Sequence, residues 1–235
     1  FFIRGRAIYT ELRAHVEDEE AKSIYISNDF QYEEHLNYIV NCRTPDQTWK
    51  AISESKKRQI KKAVKNGATI EETPSLSQVY SFYEILTELY RRIKKPLHQF
   101  SYFQALYEHG LHEGSVRFLL TMKDAKVIGG IVCTVSGKWR LHEHYIAGMD
   151  HDFKDFFPSV MATWAAIDYA CKNGIAEFDF MGAGSPNEDY GVRDFKAKFG
   201  GELQTPGRFI LVHSKPIFRV AKLGFRLYQK LGRLQ

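Results

Sequence analysis

Two stretches of the chain hold residue types that do chemistry. The first reads Phe178-Asp179-Phe180-Met181-Gly182-Ala183-Gly184-Ser185-Pro186 and, after a polar gap, Tyr190-Gly191-Val192-Arg193-Asp194-Phe195-Lys196-Ala197-Lys198-Phe199-Gly200-Gly201. Its pattern is a buried strand that ends in a glycine turn, crosses a polar loop and enters a short helix stopped by Gly200-Gly201. Loops at strand ends of α/β sheets are where substrates bind. The glycine triplet carries neither the GxGxxG nor the GxxxxGK[ST] spacing, so on its own it shapes a turn. The second stretch is Leu141-His142-Glu143-His144-Tyr145. Period-2 alternation puts His142 and His144 on one face and Glu143 and Tyr145 on the other. Without a third ligand at a suitable spacing the histidine pair does not make a metal site, and core or substrate-contact roles are expected.

The elements that position these residues follow from periodicity. Residues 7 to 12 and 24 to 27 read as short strands and 31 to 41 as a short helix. A helix is expected from 46 to 66, stopped by Asn66-Gly67, then a strand over 68 to 72. Thr73-Pro74-Ser75 opens a helix with Val79, Phe82, Tyr83, Leu86 and Leu89 on one face, and another helix covers 100 to 109. Residues 115 to 122, 127 to 135 and 138 to 147 form β-rich runs joined by two-residue turns, which predicts an antiparallel meander. Pro158-Ser159 starts a helix that is apolar almost all round and therefore buried. The following AEFDF run, 176 to 180, suits a central strand joined by a parallel crossover. The class is α/β with a mixed, mainly antiparallel sheet flanked by helices.

Composition limits what this fold can do. The chain has 235 residues, enough for a self-sufficient core, and its 17 Phe, 13 Tyr and 3 Trp argue against disorder. No window supplies the roughly 18 apolar residues of a membrane span. The three cysteines, Cys42, Cys133 and Cys171, point to buried thiols in a reducing compartment, which places the protein in the cytoplasm. The net charge of +5 is segregated. Seven basic residues and one acid lie between Lys50 and Lys65, seven basic residues and no acid follow Gly207, and Arg91, Arg92, Lys94 and Lys95 form a third knot. Such clusters suit phosphates, RNA or a lipid surface, or else are ordinary solvated faces.

Five of these features occur in an order that resembles the Fem family of peptidoglycan aminoacyltransferases and their relatives with a GNAT-like acyltransferase fold. They are the basic helix around Ser55-Lys56-Lys57-Arg58, the hairpin with Ile128-Gly129-Gly130, the Pro158-Ser159 helix, the AEFDF strand and the Phe195-Lys196-Ala197-Lys198-Phe199-Gly200-Gly201 ending. The resemblance covers about residues 45 to 205. It implies amide formation by transfer of an aminoacyl group from aminoacyl-tRNA to an amine of a peptidoglycan precursor. Other members of the fold use acyl-CoA, and no tightly bound cofactor is implied. A catalytically silent module that binds RNA or membrane is the remaining alternative. The RxxGxG/A loop with which GNAT enzymes grip the CoA pyrophosphate is absent: between Tyr145 and Pro158 the chain reads IAGMDHDFKDFF.

On this resemblance Lys196 stabilises the oxyanion, the other reading being a surface lysine beside Lys198. By chemistry Asp179, whose other reading is to hold the loop after its strand, and Tyr190 are candidate bases. Phe195, Gly182, Gly184, Arg193, Tyr145, His144 and Arg92 contact substrate, and Arg58, Lys61 and Lys62 meet phosphates. The domains expected are a remnant of a preceding half (1–45), a basic connecting helix (46–66), a GNAT-like catalytic domain (67–213) and a basic amphipathic helix (214–235). In that last helix Lys215, Arg219, Lys222, Arg226, Lys230 and Arg233 fall within an arc of roughly 80°. Packing on the domain, an anionic membrane at the inner face and an RNA backbone all suit it.

Overall fold

The computed structural model describes residues 7–42, 44–187 and 191–231. β1 (Tyr9–Arg13) is followed by α1 (Glu19–Ser27), which Asp18 caps by accepting from the Ala21 N–H, with Glu19 and Glu20 in the first turn. The strand expected at 24–27 is thus the end of a helix. Cap and acidic first turn outweigh the β-favouring Ile24-Tyr25-Ile26. The helix expected over 31–41 is instead β2 (Gln31–Glu33) and β3 (Asn37–Asn41), because β3 has a strand partner on each side.

The segment 46–66 forms two helices, α2 (Pro45–Ala51) and α3 (Glu54–Lys65). Ile52 turns extended and buried, and Ser53 Oγ then caps the second helix at the Lys56 N–H. β4 (Ala68–Glu71) leads to α4 (Leu76–Ile93), opened by a capping box of Ser75 and Gln78. α5 (Phe100–Ala105) continues into a π-helical turn, Leu106–Leu111. The expected meander follows as β5 (Val116–Lys123), β6 (Lys126–Ser136) and β7 (Arg140–Gly148), then α6 (Pro158–Lys172) and β8 (Glu177–Asp179). The chain ends with α7 (Gly191–Ala197), β9 (Glu202–Gln204), β10 (Arg208–Val212) and α8 (Lys215–Leu231).

The chain divides into two compact units. The larger, Tyr38–Ala183 with Tyr190–Leu203, is built on a seven-stranded sheet of order β4-β5-β6-β7-β8-β3-β9. The pairs β4-β5, β5-β6, β6-β7 and β8-β3 are antiparallel, and β7-β8 is parallel across the α6 crossover. One face of the sheet packs against α6 through Val160, Met161, Ala162, Ala166, Ile167 and Ala170. The other packs against α4 and α5 through Val79, Phe82, Leu86 and Phe103. Phe82 and Leu86 are fully buried, and each side chain stabilises the fold by about 1.5–3 kcal/mol.

The smaller unit, Phe1–Asn37 with Gly184–Asp189 and Gln204–Gln235, holds an antiparallel sheet of order β1-β10-β2. Phe209 on β10 is buried against Tyr25 of α1 and Tyr32 of β2. The three cysteines are free and buried. Among the described residues no helix is long and apolar enough to cross a membrane.

Candidate active site

The parallel pair of the large sheet is short and opens into a wedge. β7 and β8 are in register at Arg140–Glu177, Leu141–Phe178 and His142–Asp179; β8 then ends, while β7 runs on to Gly148. Lys196 of α7 fills the start of that wedge. Its Nζ donates to Glu143 Oε1 at 3.0 Å, to the Phe180 carbonyl at 2.7 Å and to the Gly182 carbonyl at 2.9 Å, and it lies 5.2 Å from the Phe180 ring centroid. An ammonium has three hydrogens, and here each has an acceptor. Lys196 is buried, a cation fixed by three acceptors rather than a lysine on a solvated face. The turn it holds needs Gly182 at φ +131°, a conformation that L residues rarely adopt.

Glu143, the partner of Lys196, is a functional candidate that alternation did not single out. The β6–β7 register passes from Val132–Tyr145 to Cys133–Glu143, so His144 is the extra residue of a β-bulge. The expected alternation consequently breaks: His142 and Glu143 are both buried, and His144 is exposed. Burial pushes the Glu143 carboxyl above the usual carboxylate range, against the pull of the Lys196 charge.

Above this ion pair stands an aromatic wall. Tyr145 packs against Phe103 at 4.8 Å, Tyr90 at 6.1 Å and Tyr102 at 6.5 Å between ring centroids. Burial, aided by Tyr102 and Tyr90, pushes the Tyr145 phenol up to about 12. Burial and the Glu143 charge raise Tyr90 as well. Both phenols stay protonated at neutral pH.

Asp179 is committed to structure. Its Oδ1 accepts from the Met181 N–H at 2.6 Å, and its Oδ2 lies 3.3 Å from Arg140 Nη1 and 3.5 Å from His142 Nδ1. Arg140 also bonds Glu177, tying β7 to β8. Asp179 thus anchors the corner after β8, holding the loop that follows the strand. Arg193 Nε donates to the Ala183 carbonyl at 3.0 Å and braces the same turn.

Phe195 lies under Lys56, whose Nζ is 4.1 Å from the ring centroid and 5.6 Å from that of Phe199. Burial, then repulsion from Lys198, pushes Lys56 down to about 8. The sequence did signal this: Lys56 shares the i, i+4, i+7 face of α3 with buried Ile60 and Ala63. Other expected site residues lie apart from the wedge. Arg58, Lys61 and Lys62 are exposed on α3, and Lys62 pairs with Asp155 at 2.7 Å. Arg92 borders a cavity of about 1080 Å³ between α4, the β5–β6 turn and the loop 148–153. Gly184 belongs to the smaller unit, where its carbonyl accepts from the Leu36 N–H. Tyr190 lies outside the described residues, as do the side chains of Arg226 and of 228–235.

A mixed sheet whose parallel pair opens beside a crossover helix, with a polar wedge and an aromatic wall, defines a GNAT-type acyltransferase fold. The model of the acetyltransferase (GNAT) domain family matches residues 53–196, and the chain belongs to that family. It is a transferase of the acyltransferase type. No curated protein matches the sequence significantly. Solved structures with a similar fold include FemX (TM-score 0.73, 15% identity, 92% of this chain and 74% of that one). L-PGS from Bacillus licheniformis is also similar (TM-score 0.63, 12% identity, 93% and 72%). So is the C-terminal domain of a putative lysylphosphatidylglycerol synthetase from Agrobacterium fabrum (TM-score 0.59, 12% identity, 91% and 70%).

Proposed function

We propose that this acyltransferase forms an amide by moving an aminoacyl group from an aminoacyl-tRNA to an amine of a peptidoglycan precursor. The observation that carries the reading is the wedge between β7 and β8, with the buried Glu143–Lys196 pair at its base and Phe195 beside it on α7. The likeness to FemX and to lysylphosphatidylglycerol synthetase supports an aminoacyl rather than an acetyl group.

In the reaction the acceptor amine attacks the ester carbonyl, and the new C–N bond forms as the C–O bond to the tRNA ribose breaks. The amine proton must leave and the ribose oxygen must gain one. Glu143, a carboxylate held in a poorly solvated place, is positioned to take the first proton. Tyr145, a phenol that stays protonated, is suited to donate to developing negative charge, a contribution of about 3–4 kcal/mol for a well-placed donor. Lys196 acts as a positioning residue: it fixes Glu143 and the 180–182 turn and keeps positive charge next to the reacting centre. The exposed bases Arg58 and Lys61 are suited to nucleic-acid phosphates. The basic face of α8 is suited to an anionic membrane, where such an acceptor would be carried on the cytoplasmic side.

The test supplies the purified chain with a nucleotide-linked or lipid-linked muropeptide precursor and, in separate arms, tRNA charged with radiolabelled amino acids or labelled acetyl-CoA. Label entering the precursor from tRNA as an alkali-stable amide is the expected result. Label entering from acetyl-CoA alone overturns the tRNA reading and supports a CoA-dependent N-acyltransferase.

A further inference from the structure

We infer that Asp150 is a built-in anion that closes the N-terminus of α6 and thereby excludes donors that bind there through a pyrophosphate. The inference deepens the proposed function and rests on its reading that the acyl donor is not a coenzyme A thioester.

Free N–H groups and the helix dipole make the N-terminus of a long helix a natural phosphate site. α6 has 15 residues and begins at the place where the RxxGxG/A loop is missing. Its N-cap residue, Phe157, contributes no side-chain hydrogen bond, and Pro158 at the first position has no N–H. The next N–H, that of Ser159, donates to Asp150 Oδ1 at 3.1 Å, and the Ser159 hydroxyl donates to Asp150 Oδ2. The Met161 N–H is already bonded to the Phe157 carbonyl at 2.9 Å. A carboxylate from nine residues upstream therefore takes the position that a phosphate oxygen would take.

The backbone closes the same spot from the other side. A Cβ on Gly148 would lie 2.6 Å from both the nitrogen and the hydroxyl of Ser159, so the end of β7 is pressed directly against the first turn of α6. A pyrophosphate has no comparable approach. The adjoining cavity adds Glu84, Glu88, Asp124 and Asp152 to its rim, and these acids outnumber its cations Arg92, Lys123 and Lys126 even before Asp150 is counted. The chain thus keeps the helix end but engages its Ser159 N–H internally.

The experiment measures binding of coenzyme A and of inorganic pyrophosphate, by calorimetry and thermal shift at low and moderate salt, to the wild-type chain and to Asp150→Ser. Wild type is expected to bind neither at millimolar concentration. Asp150→Ser is expected to gain pyrophosphate binding by roughly tenfold or more, in proportion to what one carboxylate at a helix terminus contributes, and to lose that gain as salt rises. Should Asp150→Ser fail to fold, Asp150→Ala carries the same comparison, because it removes the acceptor from Ser159 altogether. Coenzyme A binding to wild type that pyrophosphate displaces overturns the inference. So does a folded Asp150 variant that remains as indifferent to pyrophosphate as wild type. Either failure leaves amide transfer from tRNA open to its own assay, whereas absence of that transfer with coenzyme A still unbound defeats the functional reading and not the role of Asp150.

Discussion

At the scale of single residues, the Glu143–Lys196 pair separates chemistry from architecture. Both side chains are buried, so Lys196→Met leaves an uncompensated carboxylate and is expected to cost about 3–5 kcal/mol in urea unfolding and to abolish transfer. Adding Glu143→Leu removes that stranded charge. The double variant is expected to recover most of the stability and none of the turnover, and recovery of both would show that the pair is architectural only. Glu143 also sets a pH signature. Its carboxyl is raised by burial, so its contribution to stability is present below the ordinary carboxylate range and is lost as pH rises through its raised value. Glu143→Gln should flatten stability across that window and remove the acidic limb of the rate profile. Lys56 has the opposite sign: it is lowered by burial to about 8, so its contribution is present above 10.5 and lost as pH falls through about 8. Lys56→Met should therefore raise the free energy of urea unfolding at pH 7, by about 1 kcal/mol once partial solvation and the lost attraction to Phe195 are allowed for, and leave it little changed at pH 11.

At the scale of elements, the wedge depends on Arg140, which spans Glu177 and Asp179 with one guanidinium and so holds β7 to β8 where the parallel ladder ends. Arg140→Met strands the buried Asp179 and is expected to cost about 3–5 kcal/mol, and Arg140→Lys should not restore it, because an ammonium lacks the planar fork. Turnover should fall in step, since Asp179 fixes the Met181 N–H next to the carbonyls that hold Lys196. Much of this region was legible in sequence. The meander, the buried α6 and the central β8 follow from period, turns and length, because their side chains sort cleanly into the two core layers. The bulge at His144 was not legible: nothing in Leu141-His142-Glu143-His144-Tyr145 marks an extra residue, and one residue decides whether Glu143 faces a wall of tyrosines or the opposite layer. β3 was hidden for a related reason. Leu36 and Ile39 stand at helical spacing, and only the strands on either side of 37–41 make that segment extended. Lys196 was found through the FK motif, but its three acceptors include two backbone carbonyls of a turn whose shape comes from glycines, which no spacing rule supplies.

At the scale of the molecule, the net charge of +5 resolves into separate basic helices, and among the described residues α8 also exposes a run of apolar side chains. Ile217 is 54% exposed, Val220 71%, Leu223 59% and Leu227 50%; Ile217, Val220 and Leu227 lie away from Lys215, Arg219 and Lys222, and Leu223 borders that basic stripe. An exposed apolar stripe beside a basic one is the pattern of a helix that lies in an interface. Insertion of the stripe adds to about 1 kcal/mol for each cation close to an anionic surface. The full chain is therefore expected to sediment with vesicles containing anionic phospholipid, to stay free of neutral phosphatidylcholine vesicles, and to be released as salt shortens the reach of the charges. Val220→Glu with Leu223→Glu should prevent sedimentation while leaving transfer to a water-soluble acceptor unchanged, because neither residue belongs to the wedge. Equal binding to neutral vesicles would leave the basic face without a role. Binding of tRNA with no vesicle binding at all would move α8 to the donor side of the reaction, where its cations would join Arg58 and Lys61 as contacts for tRNA phosphates.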